Sequence, residues 1–327
     1  MLTPMAAVVS GEYSNPIRSD SSRALIPIYD VYDLQNMSNN ISASYYLAND
    51  IDASDTKNWN GGAGFDPVGN SSGAYTIMPM MNTVYPNSFK GNFDGKGHRI
   101  TGLYIYRPSQ DCVGLFGRFN YSAVPVITNV SMFDVDVTGH EYVGGLVGIT
   151  MMLFEISKVY LFKINITGTA DHVGGIAGYL GNYYYPGNLN DSGTTGKVSG
   201  AVYVGGLAGR NDGITSRCFS YANVSGTYAL GGLLGYLQTS VYDSHANGAV
   251  SGTNAAYSGI GGFVGSDFNA KVINCYSTGK VTGTGLVGGF TGSSWYGTGT
   301  HTNCFWDTQT SGWVTSAFGT GKTTSEM

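Results

Sequence analysis

Along most of this chain, short apolar runs alternate with single small or hydroxylated residues, and glycines punctuate the pattern. A glycine pair, an apolar residue, any residue and another glycine recur from Gly144, Gly174, Gly205, Gly231, Gly261 and Gly288. A degenerate first copy reads Val113-Gly114-Leu115-Phe116-Gly117. Successive starts, counted from Gly114, lie 30, 30, 31, 26, 30 and 27 residues apart, a regularity that requires a structural period. A β-branched residue followed by Ser or Thr and then Gly keeps step, at Val137, Ile166, Val198, Val224, Val250 and Val281. It precedes the next glycine pair by 7 or 8 residues, except for 11 after Val250, which places an insertion at Asn254 to Ser258. Each unit therefore predicts short strands joined by glycine turns.

No unit of this kind can bury its own apolar face. Stacking coil on coil at about 4.8 Å pairs the backbone groups and aligns equivalent side chains in columns. The expected core column is Leu115, Leu146, Ile176, Leu207, Leu233, Phe263 and Phe290. The fold class is all-β, a single parallel β-solenoid (β-helix) of about seven glycine-rich coils. An N-terminal capping segment and an irregular C-terminal tail complete it. The expected divisions are an extension over 1–27, a leader or cap over 28–111, repeats over 112–292 and a closing tail over 293–327.

Composition agrees with exposed sheets rather than helices. There are 50 glycines among 327 residues, about twice the usual share, and charged residues make up only 11%. A net charge of -5 with 16 scattered Lys and Arg offers no basic stripe, so no nucleic-acid partner is expected. No stretch reads as a membrane span. Met1 to Ser10 lacks a basic n-region, so no signal peptide is read there. Eight N-x-[ST] sequons begin at Asn36, Asn40, Asn70, Asn120, Asn129, Asn165, Asn190 and Asn223, and they lean towards a secreted, N-glycosylated chain.

The glycine-aliphatic repeat resembles that of proteins carrying the GLUG motif, which occur among bacterial and archaeal surface and adhesin-like proteins and in non-catalytic parts of some immunoglobulin A peptidases. Tyr45 to Asp52 and Phe89 to His98 look like the leader of such proteins. Cys304-Phe305-Trp306-Asp307 and the segment up to Thr324 look like their closing segment. The resemblance implies a β-helical, extracellular, cell-surface fold and names no reaction. H-E-x-x-H is absent, so peptidase activity is not carried over.

Candidate chemistry is thin. Gly-Lys-Thr at 321–323 lacks the first glycine of a P-loop. Asp134 and Asp136 alternate on one strand face as paired carboxylates do in pectin-type glycosidases, but the spacing is common and a solvated outer face is the better explanation. Asp50, Asp52 and Asp55 lack the remainder of an EF-hand loop, and no metal site or cofactor is expected. Asp94 and His98 read as a tight turn. Cys275 and Cys304 fall at one place on adjacent coils, within disulfide reach, while Cys218 lies two coils from Cys275.

The candidate interaction residues are Tyr183, Tyr184 and Tyr185 in one loop and Met78, Met80 and Met81 in another, since rigid tyrosines and flexible thioethers suit contact with partners. The sequence thus points to a non-catalytic surface protein that assembles with itself or with other envelope components into a layer, sheath or filament. An adhesin module binding glycan or host protein is the first alternative, and a polysaccharide-cleaving β-helix enzyme the second.

Overall fold

The glycine pairs stack. Gly144, Gly174, Gly205, Gly231, Gly261 and Gly288 are register neighbours in a parallel six-stranded sheet, one short strand per coil. The computed structural model describes residues 24–69, 87–119, 124–151, 153–182, 186–253 and 255–327. Within them a second parallel sheet has seven strands and a third, the longest, has twenty. The chain is a parallel β-solenoid, and the coils that carry the glycine pairs contribute strands to all three sheets.

A glycine is required at the second position of the pair. A Cβ on Gly232 would fall on the carbonyl oxygen of Gly262 in the next coil, and one on Gly262 would fall on that of Gly289. The following residue turns inward. Leu115, Leu146, Ile176, Leu207, Leu233, Phe263 and Phe290 are all fully buried, as the repeat predicts. Each contributes about 1.5 to 3 kcal/mol through burial, and Phe263 and Phe290 stack face to face at 4.7 Å. The insertion near Asn254 enters the strand Ala255–Gly261 as a register shift between Ala255 and Ile260, so the extra residues bulge without disturbing Gly261.

The leader does more than cap. Leu25–Ile28, Ser44–Leu47 and Phe93–Asp94 form parallel rungs that lead into Val126–Phe133, so the long sheet begins well before the first glycine copy. The helix Val31–Asn36, capped by Asp30, buries Val31 and Leu34. At the other end, Thr300–Asp307 adds a rung on Lys271–Ser277, and Thr320–Lys322 adds one more. Between them the chain folds over the last coil: Gly289 N donates to Thr315 O, Ala317 N to Thr291 O, and the Trp313 indole to Val281 O. The closing tail thereby satisfies strand edges that would otherwise be open.

Candidate functional site

Coils turn their corners on residues with positive φ. One corner runs Asn129, Lys158, Asp191, Arg217, Asp243, Asn274 and Asn303, all left-handed. Five of the seven are Asn or Asp, the side chains that tolerate this region best. Their side chains join successive coils. Asn129 Nδ2 donates to Asp94 Oδ1 at 3.1 Å, and Arg217 grips Asp191 with two bonds at 2.6 and 2.9 Å. Asn274 donates to Asp243 at 2.9 Å and Asn303 to Asn274 at 3.1 Å. The Arg217 guanidinium holds the Asp191 carboxyl below its ordinary range.

The residue after each corner points inward, and the one after that points outward. The inward file includes Ser192, Cys218, Ser244, Cys275 and Cys304, all buried. Cys275 and Cys304 are register partners, the thiols are unbridged, and each donates to a nearby carbonyl: Cys275 to Ile273 O and Cys304 to Thr302 O. Ser244 separates Cys218 from this pair and donates to Tyr242 O.

The outward file is aromatic. Tyr160, Phe219, His245, Tyr276 and Phe305 follow one another along the solenoid, with Gly193 between the first two. Gly193 is needed there because a Cβ would strike the Phe219 ring, which leans across to stack on Tyr160 at 6.2 Å. Phe219 stacks on His245 at 5.8 Å, and His245 on Tyr276 at 5.0 Å with planes only 4° apart. Burial between these rings lowers the His245 pKa. Phe133 and Phe162 stack at 5.0 Å beside the file, and Lys322 Nζ lies over the Phe305 ring at its end. Because the rings stack along the axis, they present edges to solvent. Tyr221 is the exception: it meets Phe219 and His245 edge-on and is 49% exposed.

A second corner carries Cys112, Tyr142, His172, Tyr203 and Ala229, again with positive φ. Tyr142, His172 and Tyr203 stack at 4.8 and 4.9 Å. On the neighbouring sheet, Arg210 lies 4.9 Å from the ring centroids of both Tyr179 and Tyr236, and it pairs with Asp212 at 2.9 Å. Burial works against the Arg210 charge, but the Asp212 carboxylate outweighs it and raises the pKa further.

The carboxylates considered for catalysis go separate ways. Asp134 turns a corner with positive φ and pairs with Lys163 at 3.7 Å, while Asp136 accepts from Asn165. Asp50 binds His98 and Arg99, Asp52 accepts from Ser54 N, and Asp94 pairs with Lys96. Among the described residues no three His, Cys, Asp or Glu converge as a metal site.

Met78, Met80, Met81, Tyr183, Tyr184 and Tyr185 lie outside the described residues, as do Asn70 and Asn120. Of the remaining sequons, Asn36, Asn40, Asn165 and Asn223 are exposed, whereas Asn129 and Asn190 are half-buried. The corner and the aromatic file went unread in the sequence, although Asp or Asn before Ser or Cys, followed by an aromatic or His, signals both at Asp243-Ser244-His245, Asn274-Cys275-Tyr276 and Asn303-Cys304-Phe305.

Comparison with known proteins bears on the repeat. Halomucin from Haloquadratum walsbyi is 32% identical in an alignment of 251 positions that covers 66% of this chain and 2% of halomucin. The chain thus spans a small fraction of that relative's length. A crystal structure from Bacteroides ovatus, that of a "putative immunoglobulin A1 protease", superposes with a TM-score of 0.63 over 92% of this chain and 85% of the other. At 20% identity this likeness concerns the fold alone. Among the described residues no helix is long and apolar enough to cross a membrane. The GLUG motif itself matches residues 256–282, the stretch around the Gly261 pair, and the same glycine-pair unit recurs coil after coil, as it does in proteins built from repeats of that motif.

Proposed function

We propose that this chain is a non-catalytic structural module of a cell surface and that its aromatic face packs laterally against a second copy. The observation that carries the reading is the outward file Tyr160, Phe219, His245, Tyr276 and Phe305, with exposed Tyr221 edge-on beside it. Aromatic edges and hydroxyl tips in a straight row supply large, rigid contact area at low entropic cost. Stacking of coil ends is a poorer route to assembly, because the closing tail already pairs with the last coil. The halomucin relative and the GLUG motif favour an extracellular setting. A non-catalytic role is supported by the dispersal of Asp134, Asp136, Asp50 and Asp94 onto separate partners.

Sedimentation velocity across a hundredfold concentration range tests this reading. The wild type should form dimers or larger species, and the double substitution Tyr221→Ser with Tyr276→Ser should return it to monomer without altering its circular dichroism. A wild type that stays monomeric throughout would overturn self-assembly.

A further inference from the structure

At the leader end, far from the aromatic file, the helix Val31–Asn36 and the 3-10 turn Met37–Asn39 wall a cleft of about 560 Å³. Its other wall is the turn Ser54–Gly62, where Trp59 and Asn60 are carried by a kink with Asn60 at φ 52°. Tyr32 stacks on Trp59 at 5.2 Å and 26°, and it is 61% exposed. Trp59 is anchored from below against the core, so the pair forms a supported aromatic step rather than a loose surface ring.

The polar groups around this step are equally well placed. Gln35 is locked by two bonds to the Asp66 backbone: Nε2 donates to O at 3.0 Å and Oε1 accepts from N at 2.8 Å. Asn60 Nδ2 donates to Gly64 O at 2.7 Å, which fixes that amide while its oxygen can still accept. Asn39 Nδ2 donates to Asn36 Oδ1 at 3.3 Å. Asp66 is held by Arg107 at 3.3 Å, and among the described residues no basic side chain lines the cleft.

This chemistry selects one class of ligand. An anion finds no cation, and a purely apolar ligand would leave the amides desolvated and unpaired. A sugar ring fits both surfaces, its C–H face on the aromatic step and its hydroxyls on orienting amides, and the volume lies within the usual range for small-molecule sites. We propose that the Tyr32–Trp59 cleft is a binding site for a neutral sugar ring. Such a ring has two possible sources. Asn36 lines the cleft, is exposed, and opens the sequon Asn36-Met37-Ser38, so a glycan attached there would start beside the aromatic step. A free saccharide in solution offers the same chemistry.

The test uses the full chain made without glycosylation. Saturation-transfer NMR is recorded with methyl glycosides of glucose, galactose, mannose and N-acetylglucosamine up to tens of millimolar. Transfer to the ring C–H protons of at least one sugar, weakened tenfold or more by Tyr32→Ala and by Trp59→Ala but much less by Trp59→Phe, is the expected result. Tyr32 is largely exposed, so Tyr32→Ala keeps the test decisive even where Trp59→Ala unfolds the leader. No transfer to any of the four sugars, or transfer that survives Tyr32→Ala and Trp59→Ala intact, overturns the proposal. Peptide mass spectrometry of protein recovered from a secreting, N-glycosylating host then separates the sources. A glycan on Asn36 assigns the cleft to the chain's own sugar, and an unmodified Asn36 assigns it to a free one.

Discussion

His301 Nε2 lies 2.7 Å from Asp267 Oδ2, and the two side chains are 2% and 0% exposed. This contact ties the closing part of the solenoid to the coil beneath it. The other carboxylate oxygen accepts from Ala270 N at 2.7 Å, and Phe318 of the tail stacks on the imidazole at 4.1 Å. Removing Asp267 strands a buried ring nitrogen, and removing His301 strands a carboxylate and uncovers Phe318. Asp267→Ala and His301→Ala should each cost about 1 to 3 kcal/mol, read by urea denaturation. In a double-mutant cycle the two losses should fall well short of additive, whereas strict additivity would show that the contact contributes nothing.

The glycine pairs make a sharper prediction. Gly232→Ala drives a Cβ into the Gly262 carbonyl and against the Ala246 methyl, and backbone cannot swing aside as a side chain does. A loss of about 3 kcal/mol or more is expected, at the upper end of overpacking costs. Gly297 has φ 63° and nothing within 4 Å of a Cβ, so Gly297→Ala should cost only the left-handed penalty of about 1 to 2 kcal/mol. Equal losses in thermal denaturation would contradict the role assigned to coil contact.

Much of this architecture is legible because the period is written in residue types that only one geometry accepts. Gly232 and Leu233 specify a close approach and a buried side chain, so the core column follows directly from the repeat. The aromatic file follows less readily. Phe219 reaches Tyr160 only because Gly193 leaves space in the coil between them, a relation that appears once register is known. Tyr32 and Trp59 are least legible, since they meet through a kinked turn in the leader that carries no repeat. The closing tail reads as irregular by composition, yet Asp307 caps a helical turn there and Gly312 ends it with φ 76°.

Asp171 gives a pH dependence opposite to that of Asp191. Burial pushes its pKa above the ordinary value, and nearby Glu141 adds to the shift against the pull of His172. A carboxyl raised in the folded state costs stability once pH exceeds its unfolded value, and that cost disappears as it protonates in both states at low pH. Asp171→Asn should therefore be more stable than wild type at pH 7, with the difference closing as pH falls below about 4. Asp191 provides the contrast: Arg217 lowers its pKa, so its contribution is present at neutral pH and is lost as pH falls through the folded value. Melting curves from pH 3 to 8 compare the two. An Asp171→Asn variant less stable at pH 7 would reverse the assignment.

The cysteines make the last prediction. Burial pushes the Cys218 pKa up to about 12 and raises that of Cys275 as well. At pH 8 the Cys218 thiolate is then about one part in ten thousand, and the thiolate is the reactive form. Native protein should resist alkylation at all four buried cysteines, and unfolded protein should react at all four. Geometry nonetheless permits one bridge, because in-register neighbours on parallel strands lie about 4.8 Å apart, inside the range for disulfide Cα atoms. Forced oxidation by copper phenanthroline should link Cys275 to Cys304, while Cys218, with Ser244 intervening, keeps a free thiol. Peptide mapping without reductant decides the matter, and a bridge from Cys218 to either partner would show that the register of these coils differs from the one described.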